Sequence, residues 1–194
     1  MSSHRLAIFA SGSGTNAENI IHYFKGNENI EIVMVLTNNP KAGVIDRAMH
    51  LDIQVEVFTR FEFYETTKIL DLLIENDIDF IVLAGFLWLL PSNLILEYPN
   101  QIINIHPALL PKYGGKGMFG NNVHTAVKSN LEKETGITIH YINEHYDEGQ
   151  ILFNAKCAID SINESIDEIA AKVHQLEYKH YPLIIEQVLT QINS

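Results

Sequence analysis

Cysteine is nearly absent from this chain, and positive charge is scarce. The single cysteine, Cys157, excludes an internal disulfide and a cysteine-rich zinc site; within the apolar run 151–159 it reads as a buried, inert thiol. Lysine and arginine total 13 against 24 acids, a formal net charge of -11, so most of the surface repels nucleic acid and none is expected as a partner. Long hydrophobic runs are also missing. The most apolar stretch, residues 80–90, carries Gly85 and stops at Pro91, which suits a buried strand and turn and excludes a membrane span. The opening Met1-Ser2-Ser3-His4-Arg5 leads straight into a strand with too short an apolar stretch for a signal peptide, so a cytoplasmic location is expected. Nine histidines are present without any His-Glu-x-x-His spacing; His140 and His145 straddle a strand and its turn, and no metal is expected.

What is present is an ordinary globular composition, 46% hydrophobic and 19% charged, without a linker, charge block, repeat or low-complexity tract. Residues 1–194 are therefore expected to form a single domain. Short β-branched runs alternate with helix-period segments, the mark of βαβ units around a parallel sheet. The pattern predicts strands over 6–10, 32–36, 54–57, 80–84 and 102–105, and helices over 16–24, 44–50, 62–76 and 91–97. Ile81-Val82-Leu83-Ala84 is apolar without alternation, as in a strand covered on both faces. The fold class predicted is α/β, a doubly wound, Rossmann-like, mostly parallel sheet. After the glycine-rich segment 112–122 the pattern changes. Residues 135–141 and 151–158 read as an antiparallel strand pair around the polar turn 143–150, and 165–190 as a long amphipathic helix that Pro182 should kink or divide.

Three segments carry chemistry. Asn104 and His106 stand two apart at the end of a strand-like run, so alternation puts an amide and an imidazole on one face, and Pro107 stiffens the exit. That pair suits carbonyl chemistry; the plainer reading has Asn104 capping a turn and His106 hydrogen-bonded in the core. The first strand runs into Ser11-Gly12-Ser13-Gly14-Thr15-Asn16-Ala17 and then a helix, whose free N–H groups and permissive glycines suit an anion. Gly12, Gly14 and Ala17 also fit the dinucleotide pattern, but the second strand ends Leu36-Thr37-Asn38-Asn39 without the acid that would hold a ribose, and no Gly-Lys-Ser/Thr follows the loop. A phosphomonoester fits best. Against it stands a tight turn with Ser or Thr capping the helix. In the acidic turn 143–149, Glu144 and Glu148 read as solvated, whereas Asp147 is placed to support the charge of His106 if the turn folds toward the carboxyl edge of the sheet.

Ser11-Gly12-Ser13-Gly14-Thr15-Asn16, Leu83-Ala84-Gly85-Phe86, Asn104-Ile105-His106-Pro107-Ala108-Leu109-Leu110-Pro111, Asp147-x-Gly149 and the late Glu177 with Tyr181-Pro182-Leu183 together resemble the glycinamide ribonucleotide formyltransferase family over nearly the whole chain. The central signature is shared with methionyl-tRNA formyltransferase and formyltetrahydrofolate deformylase; the phosphate loop and the lack of an extra domain select the glycinamide enzyme. The resemblance implies Asn104, His106 and Asp147 as the catalytic set, with 10-formyltetrahydrofolate as formyl-donor cosubstrate. It implies Ser13, Gly14, Thr15, Asn16 and Glu177 on the ribonucleotide, and Leu87, Trp88, Leu89, Leu90, Asn104, Asn143, Glu144, His145, Tyr146 and Asp147 around the folate. The implied partners are small-molecule substrates, with no membrane, for a monomer or homodimer. The chain departs from the family at Trp88, where arginine is frequent, and near Phe61, where Arg60 is the adjacent cation for a folate tail; the loop 114–122 is longer than in short members. A hydrolase with the same triad and a non-catalytic nucleotide-binding module are the alternatives.

Overall fold

A computed structural model describes residues 3–192; Met1 and Ser2 of the opening segment lie outside that range. The chain forms two compact units, Met1–Ile103 and Asn104–Ser194. In the first, β1 (His4–Phe9), α1 (Thr15–Phe24), β2 (Ile30–Thr37), α2 (Val44–His50), β3 (Gln54–Val57), α3 (Arg60–Tyr64), α4 (Lys68–Glu75), β4 (Phe80–Leu83) and α5 (Ser92–Glu97) follow one another, and β5 (Ile102–His106) crosses into the second unit. The strands of the first unit run β3-β2-β1-β4. Parallel pairing joins β1 to both β2 and β4, and β2 to β3. The chain thus winds outward from β1 and returns on its other side, creating a switch point between the ends of β1 and β4. Leu6, Ala7, Ile8 and Phe9 are all fully buried, and so are the four residues of β4, which explains their lack of alternation.

The second unit continues with α6 (Asn121–Ser129), β6 (Glu134–Tyr141), β7 (Ile151–Ala158) and α7 (Ile166–Ile192). Strand β6 neighbours β5 on one side and pairs antiparallel with β7 on the other. The alternating exposure of β7 marks it as an edge strand with one face to solvent. Ala108, Val123, Val127, Ile159 and Ile169 form a local core, with Tyr113, Met118 and Cys157 packed against it. Cys157 is half-buried on the edge strand β7 rather than buried as the sequence suggests, and desolvation still raises its thiol pKa. The doubly wound sheet and the C-terminal antiparallel pair with its long helix agree with the fold read from the sequence.

Three elements differ from that reading. The helix predicted over 62–76 is two helices, because Thr59 and Glu62 close a capping box that starts α3 early. The Thr66 hydroxyl then donates to the Glu62 carbonyl and accepts from Lys68 N, so a side chain takes over bonds a continuous helix would make. Helix α6 falls where the sequence predicts no element, around the end of the glycine-rich segment 112–122, for it is mostly polar and only Val123, His124 and Val127 are buried. Pro182 does not divide α7, which runs 27 residues through it. Tyr181 and Ile185 on either side are fully buried, and that packing offsets the lost backbone bond. A Ser165–Glu168 capping box starts α7.

His124 on α6 is 2% exposed and its Nδ1 has no hydrogen-bond partner. Burial, with His174 and His106 adding to it, pushes its pKa down from 6.5 to about 4. The unfolded chain therefore takes up a proton that native His124 refuses. Stability is expected to be lost as pH falls from about 6.5 towards about 4, by ~3 kcal/mol at most, and to level off below that range. Denaturant unfolding at stepped pH measures this, and His124→Leu should flatten the profile across that window.

Candidate active site

Strand β5 ends on the two polar residues singled out above. Ile105 turns into the core, 4% exposed, while Asn104 and His106 share the opposite face. His106 is itself 3% exposed, deeper than a strand-end position implies. Its Nε2 lies 2.8 Å from the Tyr113 carbonyl oxygen. A carbonyl only accepts, so Nε2 carries a proton. Nδ1 lies 3.6 Å from Asp147 Oδ2, a charge-pair distance longer than a formed hydrogen bond. Asp147 sits in the turn between β6 and β7 with φ 57, and its Oδ2 accepts from Gly115 N at 2.8 Å. Aspartate tolerates this left-handed conformation better than most side chains, and the turn bends back so that its carboxylate meets the end of β5.

A fourth residue completes the cluster. His140 on β6 is fully buried, and its Nδ1 lies 2.9 Å from the Tyr141 carbonyl oxygen, so Nδ1 is the donor. Burial lowers the pKa of this imidazole, although the Tyr141 carbonyl and the Asp147 carboxylate oppose the shift and His106 reinforces it. In the resulting neutral tautomer Nε2 is an acceptor, 3.1 Å from Asn104 Nδ2. The Asn104 amide is thereby fixed with its NH2 toward His140, and its second N–H remains for another acceptor. His140 Nε2 also lies 3.7 Å from Asp147 Oδ1. The reading of the sequence weighed His140 only as a metal ligand beside His145. The signal that could have found it is Thr138 and His140 at alternate positions, each following a buried isoleucine, Ile137 and Ile139: Thr138 Oγ1 donates to Ala108 O and accepts from Leu110 N, just beyond β5. Among the described residues no group of three or more His, Cys, Asp and Glu is placed to hold a metal ion.

The anion-ready loop lies at the switch point of the first unit. Ser11 N donates to Gly85 O at 3.1 Å, and Leu87 N donates to Ser11 Oγ at 3.0 Å, so the ends of β1 and β4 are tied together. Gly14 is the N-cap of α1 with φ 79, and no side chain caps that helix end. The reading in which Ser or Thr caps the turn is therefore removed, since glycine holds the N-cap position. Val44 N donates to Gly12 O and Arg47 Nε to Ser13 O, bracing the loop from α2, while the Arg47 guanidinium pairs with Glu18.

Of the residues implied around a folate, Leu87 is 40% exposed, Trp88 and Leu89 half-buried and Leu90 buried. The Trp88 ring packs with Phe58, Phe63, Tyr64 and Phe86 at centroid separations of 5.9–6.5 Å. The Arg60 guanidinium stands over Tyr64 at 4.8 Å and over Trp88 at 5.6 Å. Arg60 is thus the cation carried by the aromatic cluster. In the second unit Glu144, His145 and Tyr146 are exposed, with Asn143 Oδ1 accepting from His145 N. Glu177 is buried on α7 near Tyr181, whose phenol pKa burial raises.

The amide, two imidazoles and carboxylate are the equipment of acyl-group chemistry, and the formyl transferase family model matches residues 4–185. The chain belongs to the formyl transferase family. This formyl transferase is 33% identical over 190 residues to the phosphoribosylglycinamide formyltransferase of Bacillus subtilis, covering 95% of this chain and 94% of that protein. It is 37% identical over 188 residues to the chloroplastic phosphoribosylglycinamide formyltransferase of Arabidopsis thaliana, covering 93% of this chain and 64% of the plant protein. The chain thus spans just under two thirds of that relative's length. Its structure matches the crystal structure of phosphoribosylglycinamide formyltransferase from Bacillus halodurans with a TM-score of 0.86 and 32% identity, over 97% of this chain and 96% of that one.

The loop glycines of this formyl transferase separate folding from binding. A Cβ at Gly14 would collide with Val44 and would sit at φ 79, so Gly14→Ala is expected to destabilise the fold by about 2–4 kcal/mol. A Cβ at Gly12 would meet nothing within 4 Å. Gly12→Ala should therefore keep the unfolding midpoint, and thermal unfolding of the two variants side by side checks the contrast.

Proposed function

We propose that this chain transfers the formyl group of 10-formyltetrahydrofolate to the amine of glycinamide ribonucleotide, giving formylglycinamide ribonucleotide and tetrahydrofolate in purine biosynthesis. The observation that carries the reading is the oriented Asn104 amide beside the His106–Asp147 pair; the relatives named above support the choice of acceptor. The amine attacks the formyl carbon, the new C–N bond forms, and the carbonyl oxygen becomes an oxyanion. The free N–H of Asn104 donates to that oxygen. His106 assists electrostatically and in moving the amine proton to the folate nitrogen as the old C–N bond breaks. Asp147 orients the imidazole and holds its charge. The 3.6 Å separation leaves room for the pair to tighten when substrate excludes solvent.

In this reading Ser13, Gly14, Thr15 and Asn16 receive the ribonucleotide phosphate at the uncapped start of α1, and Glu177 serves its ribose or amine end. Leu87, Trp88, Leu89 and Leu90, with Asn143, Glu144, His145 and Tyr146, serve the folate, and Arg60 on the Trp88 ring meets the carboxylates of its tail. Residues 1–194 act as one formyltransferase domain, as a monomer or homodimer in the cytoplasm, without metal or nucleic acid. Among the described residues no helix is long and apolar enough to cross a membrane.

The deciding assay follows the absorbance of folate deformylation with and without glycinamide ribonucleotide. Turnover only with the ribonucleotide is expected; turnover without it would assign the hydrolase, and silence in both the binding module. Asn104→Ala should lower kcat by about 10²–10³. Asp147→Asn, which keeps shape and removes charge, should abolish turnover with the fold intact. His106→Ala should do the same at some cost in stability, since His106 is 3% exposed and leaves a cavity. A near-wild-type rate in any of the three removes that residue from the mechanism.

A further inference from the structure

The segment following cis-linked Pro111 touches both halves of the His106–Asp147 pair: the Tyr113 carbonyl accepts from His106 Nε2 at 2.8 Å, and Gly115 N donates to Asp147 Oδ2 at 2.8 Å. Tyr113 lies at φ 58, a conformation its side chain disfavours, so something outside the segment must hold it. Packing does only part of this. Tyr113 packs against the local core that holds Val123 and Val127, but a cavity of about 200 Å³ opens beside it, lined also by Leu109, Lys112, Glu132, Glu134 and Thr135. Across that cavity the Tyr113 hydroxyl donates to Glu132 Oε1 at 2.8 Å. Glu132 is itself anchored: its N donates to Val127 O at 3.3 Å, its carbonyl accepts from Ser161 Oγ at 2.5 Å, and its carboxylate receives Lys112 Nζ at 2.9 Å. Hydrogen bonds from Lys112 and Tyr113 keep that carboxyl below its usual range, so it accepts as a carboxylate.

We propose that Glu132 is a positioning residue for the reaction: by accepting the Tyr113 hydroxyl it fixes residues 113–115, whose Tyr113 carbonyl and Gly115 amide in turn orient His106 and Asp147. It touches no substrate. The chain of contacts runs from the turn before β6, through one phenol, to both nitrogen-facing partners of the reacting imidazole. The inference rests on the role given to His106 above.

The test uses the full chain with Tyr113→Phe, Glu132→Ala, Glu132→Gln and the Tyr113→Phe/Glu132→Ala double variant. Two readouts are needed: kcat and KM for formyl transfer, and the nitrogen and N–H resonances of the His106 ring in the free protein, assigned by their loss in a His106 variant. Tyr113→Phe and Glu132→Ala should each lower kcat about tenfold, because small misplacements of reacting groups are costly. KM should change by less than about twofold. In both, the His106 Nε2–H resonance should shift or be lost to faster exchange, and the double variant should be no worse than either single one. Glu132→Gln, which keeps an acceptor for the phenol, should restore both readouts. Wild-type kcat in Tyr113→Phe with an unmoved His106 resonance overturns the proposal, as does a fall in kcat for Glu132→Ala that Tyr113→Phe does not reproduce. Wild-type chain that transfers no formyl group would instead sink the functional reading, and the ring resonances would still decide the positioning claim.

Discussion

Two imidazoles are buried on neighbouring strands, and each spends one nitrogen on a backbone carbonyl: His106 on Tyr113, His140 on Tyr141. Buried polar groups must be satisfied, and a carbonyl satisfies only an N–H, so these two bonds settle which nitrogens carry protons. For His140, whose burial disfavours the charged ring, the consequence is an Nε2 lone pair toward Asn104, which points the Asn104 amide as a donor. For His106 it is an Nδ1 left to face Asp147. The orientation of every group in the cluster descends from that accounting.

The first unit prepares for charge in a different way. Around the Asn104 cluster the protein supplies side chains; at the start of α1 it withholds them. Gly14 stands where a capping serine would, and the braces from α2 reach the loop through backbone atoms and Arg47. On a chain whose net charge is -11, the attraction for the anion proposed at this loop would come from local dipoles and not from the overall field. The same unit places Arg60 on a shelf of aromatic rings, holding a guanidinium in place with little loss of its freedom to meet a carboxylate.

Most strands were readable because fully buried parallel strands are written as unbroken apolar runs, and 54–57 and 151–158 appear with the bounds expected. The misreadings share one cause: side chains bonding to backbone or tertiary packing overrode local periodicity. Thr66 broke a helix whose hydrophobic pattern continues, buried neighbours carried α7 past Pro182, and three buried residues sufficed to make a helix of the polar segment 121–129. Asn104, His106 and Asp147 were legible as candidates, two of them by strand alternation and the third from its place in the acidic turn 143–149, with the resemblance naming all three.

From the sequence alone came the fold class, the pairing of an amide and an imidazole on one face, and a glycine loop suited to an anion, since all three depend on periodicity and local backbone freedom. Only the tertiary structure decided that Asp147 meets both histidines, that Asn104 bonds to His140 rather than capping a turn, and that Tyr113 and Glu132 stand behind His106. Those contacts join residues up to 41 positions apart, as between His106 and Asp147. They arise where strand ends and turns converge, and proximity of that kind is a property of register and burial that no single stretch of sequence contains.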